Sequence, residues 1–277
     1  MIMTLARIAA LALLLPMLST SASAETVAEA FGKSAPGTSG KADHTAWSTL
    51  LSTYVVQSPD GINRVRYAEF KRSGHAALKS YISSLQSVEV AALSPSEQFA
   101  FWANLYNAKT VDIVLGAYPV KSIRDISLGG GLVAAFTGGP WKAKVVKIAG
   151  RDLSLDDIEH GILRPVFKDP RVHYAANCAS IGCPNLMPEA FTGANLDAQL
   201  DEAARAFTGH PRGFSVKDGK VTASSIFDWY SKDFGGSSAG VLAHARKYAD
   251  PASKRELERL SAISAYQYDW TLNDAAR

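Results

Sequence analysis

Cysteine is nearly absent: 277 residues hold only Cys178 and Cys183. So small a number excludes a disulfide-stapled scaffold. No His/Cys spacing matches a structural zinc site, and C-x4-C departs from the C-x-x-C of thioredoxin-like redox proteins. Charge of one sign is lacking too, with 29 Lys and Arg against 26 Asp and Glu. That balance argues against a dedicated nucleic-acid or acidic-lipid surface. No phosphate-cradling glycine pattern and no internal repeat is present. The chain is therefore expected to need no metal and no cofactor and to bind no nucleic acid.

Long apolar runs are missing as well. Ile8 to Leu18 is the longest, interrupted by Pro16 and shorter than the roughly 20 residues a bilayer requires. It follows Arg7 and precedes a small-residue stretch ending Ala22-Ser23-Ala24. That order is a secretory signal peptide over residues 1–24, cut before Glu25. The expectation is a periplasmic or secreted protein with no stable membrane insertion once the leader is gone. Residues 25–43, rich in Gly, Ser and Ala, read as a mobile lead-in, and 44–277 as a single globular domain.

What is present is mostly helical periodicity. His44 to Val55 spaces Trp47, Leu50, Leu51 and Tyr54 at helical intervals, and His75 to Leu85 does the same. The strongest start signal is Ser94-Pro-Ser-Glu97, an N-cap with proline at the first helical position. It predicts a helix to about Leu115, stopped at Gly116 and buried on most sides by Phe99, Phe101, Trp102, Leu105 and Tyr106. Residues 127–140, glycine-rich at both ends, read as a loop able to cover a cleft. Trp141 to Ile148 reads as a half-exposed strand, Ser154 as the cap of a short helix, Asn195 to Phe207 as an amphipathic helix, and Gly213 to Thr222 as a hairpin around Asp218-Gly219. The fold class predicted is α+β: a helix-rich single domain with a small antiparallel sheet and a central buried helix.

The chemistry concentrates between Arg171 and Pro184. Arg171 to Ala176 reads as a short buried strand, and Cys178-Ala-Ser-Ile-Gly as a turn into a helical start. A thiol there would be acidified by the helix N-terminus and would sit beside unpaired N–H groups, as a thiolate nucleophile requires. The plainer reading is a buried cysteine disulfide-bonded to Cys183. The base is His173, five residues before Cys178, or His160 beside Glu159. Glu159 either orients an imidazole or simply suits its helix start. Asn104 and Asn107 share a helix face and either brace the core or, with the Cys178 N–H, support an oxyanion. Ser180 is a turn hydroxyl or a substrate contact. Arg164 and Arg171 hold a substrate carboxylate or form buried ion pairs.

Phe101-Trp-Ala-Asn-Leu-Tyr-Asn107, Ile158-Glu-His-Gly-Ile-Leu-Arg164, Arg171-Val-His-Tyr-Ala-Ala-Asn-Cys178, Ser180, Pro184 and Tyr268-Asp-Trp-Thr-Leu-Asn273 follow in an order that resembles the family catalogued as domain of unknown function 547. The resemblance implies kinship with papain-like thiol hydrolases and favours Cys178 with His173 as the working pair. Papain-like enzymes carry the nucleophile before the histidine, so the likeness needs an altered chain order or a base at His210 or His244; triads recur in several orders. The function expected is a thiol-dependent hydrolase or acyl transferase acting on amide or thioester bonds of a peptide-like or small-molecule substrate, with a protein partner left open. The rival is a non-catalytic binding or scaffold module with a Cys178–Cys183 disulfide, and a third reading is redox exchange through that pair.

Overall fold

The Ser94 hydroxyl accepts the N–H of Glu97, and Pro95 opens a helix that runs Pro95–Ala117. It passes Gly116, where the sequence predicted a stop. Glycine inside a helix costs only about 1 kcal/mol, less than the packing of Phe101, Trp102, Leu105, Tyr106 and Val114 returns on the buried sides of this rod. Pro119, which lacks an N–H, follows Tyr118, the residue that caps its end.

The computed structural model describes residues 25–32, 34, 37–128 and 139–276. The expected leader and most of the 127–140 loop lie outside the described residues. The helices are α1 (Val27–Phe31), α2 (Thr45–Tyr54), α3 (Tyr67–Ser73), α4 (His75–Leu85), α5 (Pro95–Ala117), α6 (Asp157–Leu163), α7 (Arg164–Phe167), α8 (Val172–Ala175), α9 (Leu196–Thr208), α10 (Ile226–Trp229), α11 (Ser238–Tyr248) and α12 (Pro251–Glu258). α5 is the axis: α3, α4 and α6 pack on it. One apolar core runs through the chain from Phe31 to Leu272. The lead-in is not wholly loose, because Thr26 and Glu29 cap α1 reciprocally and Phe31 is buried edge-on against Trp102 at 5.1 Å. Five helical residues are too few to show a period.

Strand content is small and divided. β1 (Val55–Gln57) pairs β2 (Asn63–Val65), and β3 (Val146–Ile148) pairs β4 (Arg151–Leu153), both antiparallel. β5 (Phe214–Lys217) and β6 (Lys220–Ser224) form the expected hairpin, turning at Asp218 and Gly219 with φ of 51° and 70°. β7 (Ala265–Gln267) then pairs with β6 in parallel. The fold is α+β, but among the described residues there are three small sheets, one of them mixed, where a single antiparallel sheet was predicted. The long connection through α10, α11 and α12 is what allows a parallel third strand.

The segment around the cysteines also differs. Arg171 to Ala176 is not a strand: Asp169 accepts the Arg171 N–H at 2.9 Å, and one helical turn, α8, follows. A short apolar run buried on every side has no alternation to separate strand from helix. No helix starts after Cys178 either. Ala179 takes a left-handed φ of 57°, and Ser180 bridges to Leu272 near the C-terminus.

Candidate active site

Asn107, in the middle of α5, holds the cysteine loop from behind. Its Nδ2 donates to the Ala175 carbonyl and its Oδ1 accepts the Asn177 N–H, both at 2.8 Å. Asn177 in turn donates to the Pro184 carbonyl at 2.7 Å and accepts the Ala179 N–H at 2.9 Å, closing the loop on itself. Arg212 fixes the far side through the Ile181 carbonyl at 3.0 Å and Asn185 at 2.6 Å; burial lowers its pKa to about 10. The C-terminal segment covers the loop: Ile181 and Gly182 donate to the carbonyls of Thr271 and Asp269, each at 2.8 Å. A Cβ on Gly182 would lie 2.7 Å from the Asp269 nitrogen, so only glycine permits this approach.

That approach brings the Tyr268 hydroxyl to 2.9 Å from Cys178 Sγ and 2.8 Å from Ser180 Oγ. Cys178 Sγ also lies 3.0 Å from Cys183 Sγ and 3.5 Å from Ser180 Oγ, and both cysteines are free. The hydrogen bond with Cys183, helped by those with Ser180 and Tyr268, draws the Cys178 pKa below the usual thiol value against the opposing effect of burial. Burial pushes Cys183 and Tyr268 well above theirs. Cys178 is thus the sulfur that ionises, among groups that keep their protons. The acidifying helix N-terminus inferred from sequence is replaced by side-chain donors. The Cys178 N–H donates to Cys183 Sγ at 3.0 Å, which removes the backbone oxyanion donor predicted there.

His173 lines the same cavity as Cys178. Its Nε2 is 2.7 Å from Asp233 Oδ2, and its ring stacks on Tyr230 at a centroid distance of 4.2 Å. Asp233 also accepts from Arg164 Nε at 2.7 Å, and these two partners, His173 first, hold its carboxyl well below the ordinary range. His160 and Glu159 line the cavity too. His160 Nδ1 sits 3.2 Å from Arg164 Nη1 and 3.9 Å from Glu159, and has no oriented carboxylate comparable to that of His173. Glu159 stands beside Tyr106 and Tyr230; burial, and after it the charge of Glu159, raises the pKa of both phenols. A wide π-type turn, α6, opened by a Ser154–Asp157 cap, presents Glu159 and His160; such turns are frequent at functional sites.

The remaining predicted residues fall outside the cavity lining. Asn104 is a brace, donating to the Phe191 carbonyl at 2.8 Å and accepting its N–H at 3.0 Å. Asn107 braces likewise, so neither amide is free for an oxyanion. Arg171 is an ion pair, not a substrate clamp, held by Asp169, Asp197 and Asp201 at 2.6 to 2.8 Å. Arg164 is the structural partner of Asp233 and lies over the Tyr230 ring at 4.7 Å. Ser180 is the turn hydroxyl between Cys178 and Tyr268. His210 bonds the Asp60 carbonyl and His244 the Tyr174 hydroxyl, each at 2.8 Å.

The cavity has a volume of about 290 Å³, with Trp141, Trp229, Tyr230, Tyr268 and Trp270 among its walls. Among the described residues no group of His, Cys, Asp and Glu is arranged to hold a metal ion, and no helix is long and apolar enough to cross a membrane. Two members of the site escaped sequence reasoning. Asp233 sits 60 residues from its histidine partner, in a stretch that reads only as an aromatic cluster. Tyr268 opens the Tyr-Asp-Trp-Thr-Leu-Asn run, a signal to which no chemical role attached. Residues 90–208 match the model of a family described as "Protein of unknown function, DUF547". No curated protein and no solved structure matches the chain.

Proposed function

We propose that this chain, a member of that family through residues 90–208, is an exported thiol-dependent hydrolase or acyl transferase acting on amide or thioester bonds. The observation that carries the reading is an ionisable Cys178 sharing one cavity with His173, whose Nε2 is fixed by Asp233. Thiol catalysis needs these three roles filled: nucleophile, proton carrier and orienting group.

With Nε2 on Asp233, the Nδ1 of His173 is the nitrogen left to exchange a proton with the thiol. Cys178 Sγ attacks the carbonyl carbon, its proton passing to His173, and the carbonyl oxygen gains the negative charge. The Tyr268 hydroxyl is the donor beside the sulfur that supports that oxyanion, in place of the occupied Cys178 N–H. Collapse expels the amine or thiol, which takes the proton from the imidazolium, and leaves an acyl-thioester on Cys178. Water, or an acceptor amine or hydroxyl, then attacks the thioester with His173 again removing a proton, and the sulfur is released. The substrate is peptide-like or a small molecule. Periplasmic or secreted location rests on the leader pattern of residues 1–24.

Labelling with a thiol-reactive amide or thioester probe tests this reading. The native chain should label rapidly at neutral pH and Cys178→Ala should not; equal labelling of both would end it. A second reading, a non-catalytic module or a dithiol exchanger, draws on the 3.0 Å separation of the two sulfurs. Free-thiol counting separates the two: an oxidised, unreactive pair in protein taken from an oxidising compartment favours the module.

A further inference from the structure

The cavity around the thiol has a distinct chemical character. Trp229 and Trp270 stack at 5.7 Å, Trp141 meets Trp270 edge-on at 5.8 Å, and Tyr268 touches Trp229 and Trp270 at 4.9 and 4.6 Å. This is a continuous aromatic wall, and Trp229 remains 48% exposed within it. The faces of such rings carry negative potential and attract cations.

Two carboxylates line the same cavity, Asp156 and Glu159, three residues apart at the start of α6. Glu159 is only 8% exposed. The Tyr106 and Tyr230 hydroxyls beside it can satisfy hydrogen bonds but carry no charge. Among the described residues no lysine or arginine forms a salt bridge with either carboxylate, and the one ion-pair neighbour of Glu159 is the His160 ring at 3.9 Å. His160 and Lys142 line the cavity and act on Asp156 from a distance, Lys142 the more weakly, yet burial and the neighbouring charges of Glu159 and Asp157 still raise the Asp156 carboxyl above its ordinary value. A buried and a half-buried carboxylate with no lysine or arginine partner are relieved by a ligand that brings its own positive charge.

We infer that the substrate presents a cationic, lysine-like side chain beside the bond at Cys178, its charge held by Asp156 and Glu159 and its stem lying on Trp141, Trp229 and Trp270. The inference deepens the thiol reading only in naming what lies next to the cleaved bond; the cation site itself does not need the sulfur.

A tryptophan-fluorescence titration of the full chain tests it, with N-acetyl-lysine methylamide against the norleucine and glutamate analogues, which differ chiefly in side-chain charge. The lysine compound should bind at least about tenfold tighter than norleucine, the scale of one good charge-assisted contact. Asp156→Asn with Glu159→Gln should remove that preference and leave norleucine binding unchanged. Asp156 is half-buried, so Asp156→Asn alone, expected to reduce the preference, serves if the double variant loses its fold. Cys178→Ala should keep the preference in full, so a failure of thiol chemistry and a failure of cation recognition are read separately. Norleucine or glutamate binding as tightly as lysine, or a preference that survives the carboxylate variants, overturns the inference.

Discussion

At the scale of single residues, the reactivity of Cys178 depends on donors that can be removed one at a time. Tyr268→Phe deletes the hydroxyl 2.9 Å from the sulfur. A hydrogen bond to a charged group contributes about 1.5–3 kcal/mol, so the pH midpoint of iodoacetamide labelling should rise by about one unit and the rate at pH 7 should fall about tenfold. Cys183→Ala should raise the same midpoint, because the Cys183 hydrogen bond is the largest influence lowering the Cys178 pKa; Cys183→Ser, which keeps a donor, should restore much of the effect. A midpoint unmoved in both Tyr268→Phe and Cys183→Ala would mean that the thiolate is stabilised by something else. Asp233→Asn leaves Cys178 and its donors intact but fails to hold the His173 ring in the required state. Turnover of a thioester probe should drop about a hundredfold, at the lower end of acid–base effects, while simple alkylation changes little. Residue type and spacing offered Cys178 as the candidate nucleophile and His173 or His160 as its base, with the family resemblance favouring His173. Asp233 was not legible there, because an orienting carboxylate is defined by a contact across the fold.

At the scale of elements, two of the supports that hold the cysteine loop come from α5 and from the C-terminal segment. From α5, Asn107 makes two buried hydrogen bonds to the loop backbone. Asn107→Leu leaves the Ala175 carbonyl and the Asn177 N–H without partners, at about 1–3 kcal/mol each, so chemical denaturation should register a loss of about 2–6 kcal/mol. From the other side, the C-terminal segment seats Tyr268 through Gly182. Gly182→Ala places a Cβ 2.7 Å from the Asp269 nitrogen and should lift that segment, slowing Cys178 labelling at least as much as Tyr268→Phe does. Labelling at the native rate in Gly182→Ala would show that the segment is not what positions the phenol. The central helix is legible in the amino-acid order because a cap, a proline and dense apolar spacing all agree in it. The α8 turn reads as a strand there because a fully buried four-residue element carries no period. The matched span 90–208 contains α5, the cysteines and His173, whereas Asp233 and Tyr268 come from beyond it.

At the scale of the whole molecule, two histidines, His44 buried and His244 half-buried, make folding sensitive to acid. Burial lowers His44 to about 4 and His244 to about 4. His44 lies against Tyr81 with its Nε2 unpartnered, and His244 packs on Tyr174 near Lys247 and Arg171. Unfolded histidine titrates near 6.5, so between about pH 6.5 and 4 the unfolded chain binds more protons than the folded one. Stability is therefore complete above about pH 6.5 and is lost as the pH falls toward 4, by on the order of 3 kcal/mol per histidine. Carboxylates held low by ion pairs, such as Asp112 and Asp233, lose their contribution only at lower pH. Urea unfolding at pH 7.5, 5.5 and 4.5 should follow this slope, and His44→Gln should flatten it; equal stability across the three would contradict the burial of neutral imidazoles. The sequence alone determined the helix-rich class, the axis along α5 and the choice of Cys178 as candidate nucleophile, since capping, periodicity and residue type are local properties. Only the tertiary structure decided which histidine has an oriented partner, that Asn104 and Asn107 brace and Arg171 is locked in ion pairs, and what acidifies Cys178. The histidine partner, the Asn104 brace and the Tyr268 contact join groups 60 to 90 residues apart, and the Arg171 pairs and the Cys183 contact, though nearer in sequence, need the chain to turn back on itself, a condition set by packing that no local pattern records.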